Sequence, residues 1–144
     1  MYRGASSITN ALINGDKKIG YTFHYIDKNI DTGKIIFQDA LEVSDYETQL
    51  NVYQKVKFTA IQHFNEVVDQ VIDGFIGIEQ LGKSSYYNRG VPNEGQINPM
   101  WNKEKVKNYI RAMKHAPYKL AQFNDQEISN FEEFNSLYNK RKKK

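Results

Sequence analysis

The 144-residue chain contains no cysteine, which excludes a disulfide, a thiolate nucleophile and a zinc–cysteine site. No apolar run approaches the roughly 18 residues of a membrane span, and the N-terminus carries no signal-peptide pattern. A cytoplasmic protein with no membrane partner is therefore expected. A basic face is missing too. The formal net charge is +3, yet Lys140 to Lys144 supply five of the 20 lysines and arginines. Without those five, 15 basic residues stand against 17 acidic ones and the body of the chain is near −2. A nucleic-acid binder is expected to spread positive charge over a face, so nucleic acid is not an expected partner. Residues 139–144 read as a solvated, disordered tail. No Ser/His/Asp order, phosphate-cradling glycine motif, internal repeat or interdomain linker is present. His24, His63 and His115 show no metal-ligand spacing, and no metal is expected.

The length suits one domain. Its most informative stretch is the loop Asp27-Lys-Asn-Ile-Asp31-Thr-Gly33, set between the strand-like runs Gly20–Ile26 and Lys34–Leu41. Tyr21, Phe23 and Tyr25 alternate with Thr22, His24 and Ile26, as on a strand, and so short a connection predicts an antiparallel pair. Asp27, Asn29 and Asp31 have the first three ligand spacings of a calcium loop. The turn glycine would then stand at Thr32 and the bidentate glutamate at Gln38, so calcium is rejected. Two carboxylates and a glycine remain, aimed at a cation, a helix end or a reacting group. His24, just upstream, is a candidate to line the same site, while His63 and His115 read as helix-face residues.

Around that loop, Met1 to Gly4 reads as a turn, and Ser6 or Ser7 is expected to cap a short helix that Gly15 ends. Ser44-Asp-Tyr-Glu47 has the form of a capping box. It is expected to open one long helix whose stripe Leu50, Tyr53, Val56, Ala60, Phe64, Val67, Val68, Val71 and Phe75 lies on a sheet. From Gly82 to Trp101 the chain mixes aromatic, turn and polar residues and reads as two short extended pieces. A helix over Lys103–His115 ended by Pro117, a short strand over Lys119–Phe123 and a last helix over Ser129–Tyr138 complete the expectation.

The residues Tyr2-Arg-Gly-Ala-Ser-Ser-Ile-Thr-Asn-Ala-Leu-Ile-Asn-Gly15, then Gly20-Tyr-Thr-Phe-His-Tyr-Ile-Asp27 and Asp31-Thr-Gly33, resemble the folate-dependent formyltransferase family. That family includes methionyl-tRNA formyltransferases and N-formyltransferases of nucleotide-linked amino sugars. Ser7 stands where many members have proline, and Lys34 where an acid or proline is usual; neither touches the chemistry. The resemblance implies attack of an acceptor amine on the formyl carbon of 10-formyltetrahydrofolate, with an Asn and a His donating to the oxyanion and an Asp assisting proton removal. It assigns the catalytic carboxylate to Asp31 and makes Asp27 a loop-shaping residue. Asp27, Ile30 and Gly33 are expected on the folate side, and Arg3 and Gly4 on the acceptor side.

The family's Asn and His lie a few residues before the Tyr-Arg-Gly turn, in an Asn-x-His-Pro-type segment, and this chain opens just after that point. It therefore reads as the C-terminal part of a formyltransferase-type, three-layer, Rossmann-like α/β domain lacking its N-terminal half. That part comprises an antiparallel strand pair, one long covering helix and a helical C-terminal extension. Residues 1–81 are assigned to the catalytic domain and 82–138 to the extension. An aspartate alone repels an oxyanion, so the isolated chain is expected to be inactive. It is expected either to self-associate through an uncovered apolar stripe or to need a complementing N-terminal half.

The run Tyr86 to Trp101, with Ile110-Arg-Ala112, is closer to the sugar enzymes. It makes Tyr87 and Trp101 candidates to stack a base, and Arg89 and Arg111 candidates to meet a diphosphate. The implied reaction is formyl transfer to a nucleotide-linked amino sugar for surface polysaccharide. The alternatives are a methionyl-tRNA formyltransferase fragment and a non-catalytic remnant or interaction module.

Overall fold

A computed structural model describes residues 2–83, 85–87 and 90–142. In chain order the elements are β1 (Tyr2–Arg3), α1 (Ser7–Asn14), β2 (Lys18–His24), β3 (Ile35–Glu42), α2 (Gln49–Gln62), α3 (Phe64–Ile72), β4 (Ser85–Tyr86), a 3-10 turn (Pro92–Gly95), α4 (Lys103–Ala112), β5 (Ala121–Phe123), β6 (Gln126–Ile128) and α5 (Phe131–Lys142). The fold is mixed α/β as expected. The strands of the described residues form three separate two-stranded sheets, β1 with β4, β2 with β3, and β5 with β6, rather than one layered sheet.

The β2–β3 hairpin matches the alternation. It is antiparallel, with Tyr21 opposite Asp39 and Phe23 opposite Phe37. Tyr2 and Arg3, expected in a turn, instead pair in parallel with Ser85 and Tyr86. That pairing carries a segment more than eighty residues away onto the start of the chain.

Two hydrophobic clusters meet at α4. Val106, Tyr109, Ile110 and Met113 pack with Ile97, Phe123, Ile128 and Phe134, while Ala112 joins Ala11, Leu12, Ile19, Val43 and Val52 on the other side. Burial of side chains such as Val106 and Ile110 contributes roughly 1.5–3 kcal/mol each. Asn102 caps α4, its side chain accepting from the Lys105 N–H at 2.8 Å. Tyr109 is fully buried, its hydroxyl donating to the Pro92 carbonyl; burial pushes its pKa up to about 12.

Several expected boundaries take corrections. The long helix is two helices broken at His63, whose ring stacks on Phe37 at 4.6 Å. Ser44 and Glu47 do bond each other, Glu47 accepting from both the Ser44 N–H and hydroxyl, but they close a turn ahead of the helix. The capping box that opens α2 is Thr48 with Asn51. Of the expected inward stripe only Val67 is buried, while Tyr53, Phe64 and Val71 are exposed. At the other end, Lys140 to Lys142 continue α5; residues 143–144 lie outside the described residues.

Candidate functional site

The acidic loop is closed at its base by the Tyr25 N–H donating to the Lys34 carbonyl at 2.9 Å. Inside it, Asp27 accepts from the Asn29 N–H and from the Thr32 hydroxyl. The Thr32 hydroxyl, followed by the Asn29 N–H, holds the Asp27 carboxyl below its ordinary pKa. Asp27 thus shapes the loop. At Gly33 a Cβ would drive into the Tyr25 carbonyl oxygen, so glycine here answers a close approach of backbone to backbone.

The same loop turns Asp31 into the left-handed region, with φ 56°. Its carboxylate accepts the Gly4 N–H at 3.0 Å, and its other oxygen lies 3.8 Å from Nε2 of His24. The Nδ1 of His24 sits 2.8 Å from the Tyr25 carbonyl oxygen. A carbonyl only accepts, so Nδ1 carries a proton and Nε2 is the nitrogen left facing Asp31. Among the described residues no lysine pairs with Asp31. The nearby Lys34 pairs with Glu79 at 3.4 Å.

A second strip of chain, Phe75 to Gln80, laces this loop in place. Ile35 and Ile78 exchange both backbone hydrogen bonds, and the Tyr25 hydroxyl donates to the Phe75 carbonyl. Gln80 Nε2 donates to the carbonyls of Asp31 (3.1 Å) and Gly33 (2.6 Å). Tyr86 reaches the Ile30 carbonyl at 3.4 Å and accepts from Arg3. Neither Gln80 nor Tyr86 was selected as a site residue from sequence. Their tie is tertiary, and no local pattern announces it.

The other expected residues divide. Gly4 meets Asp31 through its N–H, whereas Arg3 reaches the Tyr86 hydroxyl. Ile30 is exposed on the loop. Tyr87 stacks on Tyr2 at 5.6 Å; Arg89 lies outside the described residues. Trp101 packs on Tyr109 with Lys105 over its face, at the edge of the core. Arg111 is 6% exposed and donates to Asn108 and to the carbonyls of Ser44 and Glu47, so it clasps α4 to the turn before α2, with Nη2 buried and without a partner. Burial lowers its pKa, opposed by Asp45 and Glu47.

With this geometry in view, residues 1–68 match the family described as formyl transferase. A GDP-perosamine N-formyltransferase of Brucella melitensis is 34% identical over 117 residues, covering 81% of this chain and 45% of the relative. A 4-N formyltransferase of Francisella tularensis has a solved structure that superposes with a TM-score of 0.76 at 30% identity, over 87% of this chain and 53% of that one. A sugar 3N-formyl transferase solved with dTDP and 5-N-formyl-THF gives a TM-score of 0.73 at 25% identity, over 90% of this chain and 48% of that one. The chain thus spans about half the length of the relatives it matches. The match corrects the assignment to a C-terminal part: the family sequence occupies the N-terminal half of this chain, and residues 69–144 follow it. Among the described residues no helix is long and apolar enough to cross a membrane.

Proposed function

We propose that this chain, whose residues 1–68 match the formyl transferase family, supplies the carboxylate-bearing part of an enzyme that moves a formyl group from 10-formyltetrahydrofolate to the amine of a nucleotide-linked amino sugar. The observation that carries the proposal is Asp31. The family register selects it, a backbone N–H fixes one oxygen, and a histidine nitrogen faces the other.

In the proposed reaction the acceptor nitrogen forms a bond to the formyl carbon, and the bond from that carbon to N10 of the folate breaks. Asp31 orients the amine and accepts its proton as the new amide forms. His24, with Nδ1 held on a carbonyl, leaves Nε2 beside Asp31 to share positive charge. The proton taken by Asp31 is passed on to the departing N10, which returns Asp31 to its carboxylate form, so atoms and charge balance. Arg3 and Gly4 stand on the acceptor side of Asp31, and Asp27, Ile30 and Gly33 on the folate side. Residues 1–81 carry the chemistry, and 82–138 cover it.

Asp31 cannot stabilise the oxyanion, since a carboxylate repels developing negative charge. In the proposed reaction, an added half bearing the family's Asn and His supplies the donors for that charge. The similarity to sugar N-formyltransferases supports the acceptor class. The test is to incubate the chain, alone and with a separately expressed Asn- and His-bearing N-terminal half of a sugar N-formyltransferase, with 10-formyltetrahydrofolate and a panel of GDP-, UDP- and dTDP-linked amino sugars, and to detect the formamide product by mass spectrometry. One or more acceptors are expected to be formylated by the mixture, and the 144-residue chain alone is expected to give none. Turnover by that chain alone, or no formylation of any acceptor by the mixture, contradicts the reading.

A further inference from the structure

Among the loop residues Asp27 to Gly33, Asp31 alone has a positive φ, at 56°, a setting that a residue carrying a Cβ adopts rarely. That setting aims its carboxylate at the Gly4 N–H and at the His24 ring. The side-chain bonds made within the loop, from the Thr32 hydroxyl and the Asn29 N–H, end on Asp27 instead. The backbone of Asp31 is braced from outside the loop.

The brace is Gln80. Its Nε2 donates to the Asp31 carbonyl at 3.1 Å and to the Gly33 carbonyl at 2.6 Å. Carbonyl oxygens only accept, so the amide turns its nitrogen to the loop and commits both protons there. The two bonds grip the backbone on either side of Thr32. Gln80 stands on a fixed base. Ile78, two residues before it, exchanges both backbone hydrogen bonds with Ile35, and at Gly77 a Cβ would come within 2.8 Å of the Lys34 Cβ. The Gln80 side chain is half-buried, where a hydrogen bond is electrostatically stronger than in open water.

We infer that Gln80 is a positioning residue for formyl transfer: by holding the carbonyls of Asp31 and Gly33 it fixes the backbone setting from which Asp31 meets the acceptor amine. This rests on the reading of Asp31 as the carboxylate that takes the amine proton. Gln80 acts through Asp31 and is assigned no contact with either reactant. Gly4 and Gln80 hold Asp31 from its two ends, one at the carboxylate and the other at the carbonyl. Without the second hold the residue relaxes toward negative φ, and its carboxylate swings away from Gly4 and His24. Proton transfer tolerates little of that, since a misplacement of about 1 Å can cost about 100-fold in rate.

The experiment compares the 144-residue chain with Gln80→Glu and Gln80→Met. Glutamate keeps the shape and replaces the donors with an acceptor; methionine removes the donors without adding charge. In NMR spectra of the chain alone, the Gly4 amide proton is expected to follow the titration of Asp31, and the Asn29 amide proton that of Asp27. Each variant is expected to lose most of the Gly4 response and keep that of Asn29, a pattern that general loss of structure does not produce. In the parent chain, needing no variant, the side-chain amide protons of Gln80 are expected to exchange with solvent at least about tenfold more slowly than those of exposed Gln126. With the chain complemented by an Asn- and His-bearing N-terminal half, each variant is expected to lower kcat by about 10–100-fold and to leave both KM values within about twofold. A Gly4 response unchanged in both variants, Gln80 protons exchanging as fast as those of Gln126, or parental kcat in a folded variant overturns the assignment. If the Gly4 response is lost as described but the complemented parent transfers no formyl group, Gln80 does hold Asp31 and it is the reading of Asp31 that fails.

Discussion

At the residue scale, the two carboxylates of one seven-residue loop have different work because their partners differ. Asp27 is consumed by Thr32 and Asn29 inside the loop, whereas Asp31 is turned outward onto Gly4 and His24. Sequence chemistry could not rank them; family register could. Gly33 is where backbone meets backbone. Gly33→Ala is expected to cost about 3 kcal/mol or more, since the clash is with a carbonyl that cannot swing aside; urea denaturation of the chain measures it, and a loss below about 1 kcal/mol would show that the loop has room to adjust. The clasp made by Arg111 was not legible in the sequence, for a physical reason. An arginine between apolar helical residues reads the same whether it faces a ligand or caps a distant turn, and only burial separates the two.

Among the elements, the β2–β3 hairpin was legible because Tyr21 and Phe23 alternate with polar neighbours and the loop is short. The start of α2 was not. Ser44 and Glu47 make one half of a capping box, Glu47 accepting from the Ser44 N–H while its own N–H goes to the Ser44 carbonyl, and Thr48 with Asn51 makes both halves four residues later with an amide in place of a carboxylate. The break at His63 has neither proline nor glycine to mark it. β5 falls within the strand expected over Lys119–Phe123, but its partner β6 was missed although the Asn124-Asp125 pair offered a signal: both take positive φ, the conformation of the two-residue turns that join twisted strands. The element that holds the chain together is α4, whose two faces serve both clusters. Arg111→Met is expected to destabilise the chain by about 2–3 kcal/mol, because the carbonyls of Ser44 and Glu47 lose a charged donor. Thermal and urea unfolding would register this, and an unchanged midpoint would mean that the clasp contributes nothing net.

For the whole molecule, the side away from α4 remains uncovered. Phe58, Ile61, Phe64, Ile72, Ile76, Ile78 and Leu81 are all more than half exposed, along α2, α3 and the strip that laces the acidic loop. A face of that kind marks an interaction surface, so the 144-residue chain is expected to scatter light as an oligomer whose size rises with concentration. A concentration-independent monomer would contradict this. The most direct measurement on the central claim compares the two carboxylates in the chain complemented by an Asn- and His-bearing N-terminal half, under saturating 10-formyltetrahydrofolate and sugar nucleotide. Asp31→Asn is expected to lower kcat by roughly 10²–10⁴-fold, the range for loss of a proton acceptor, while Asp27→Asn, which keeps an oxygen for Thr32 and Asn29, stays within about tenfold of the parent. Equal losses at the two positions, or a larger loss at Asp27, would contradict the account.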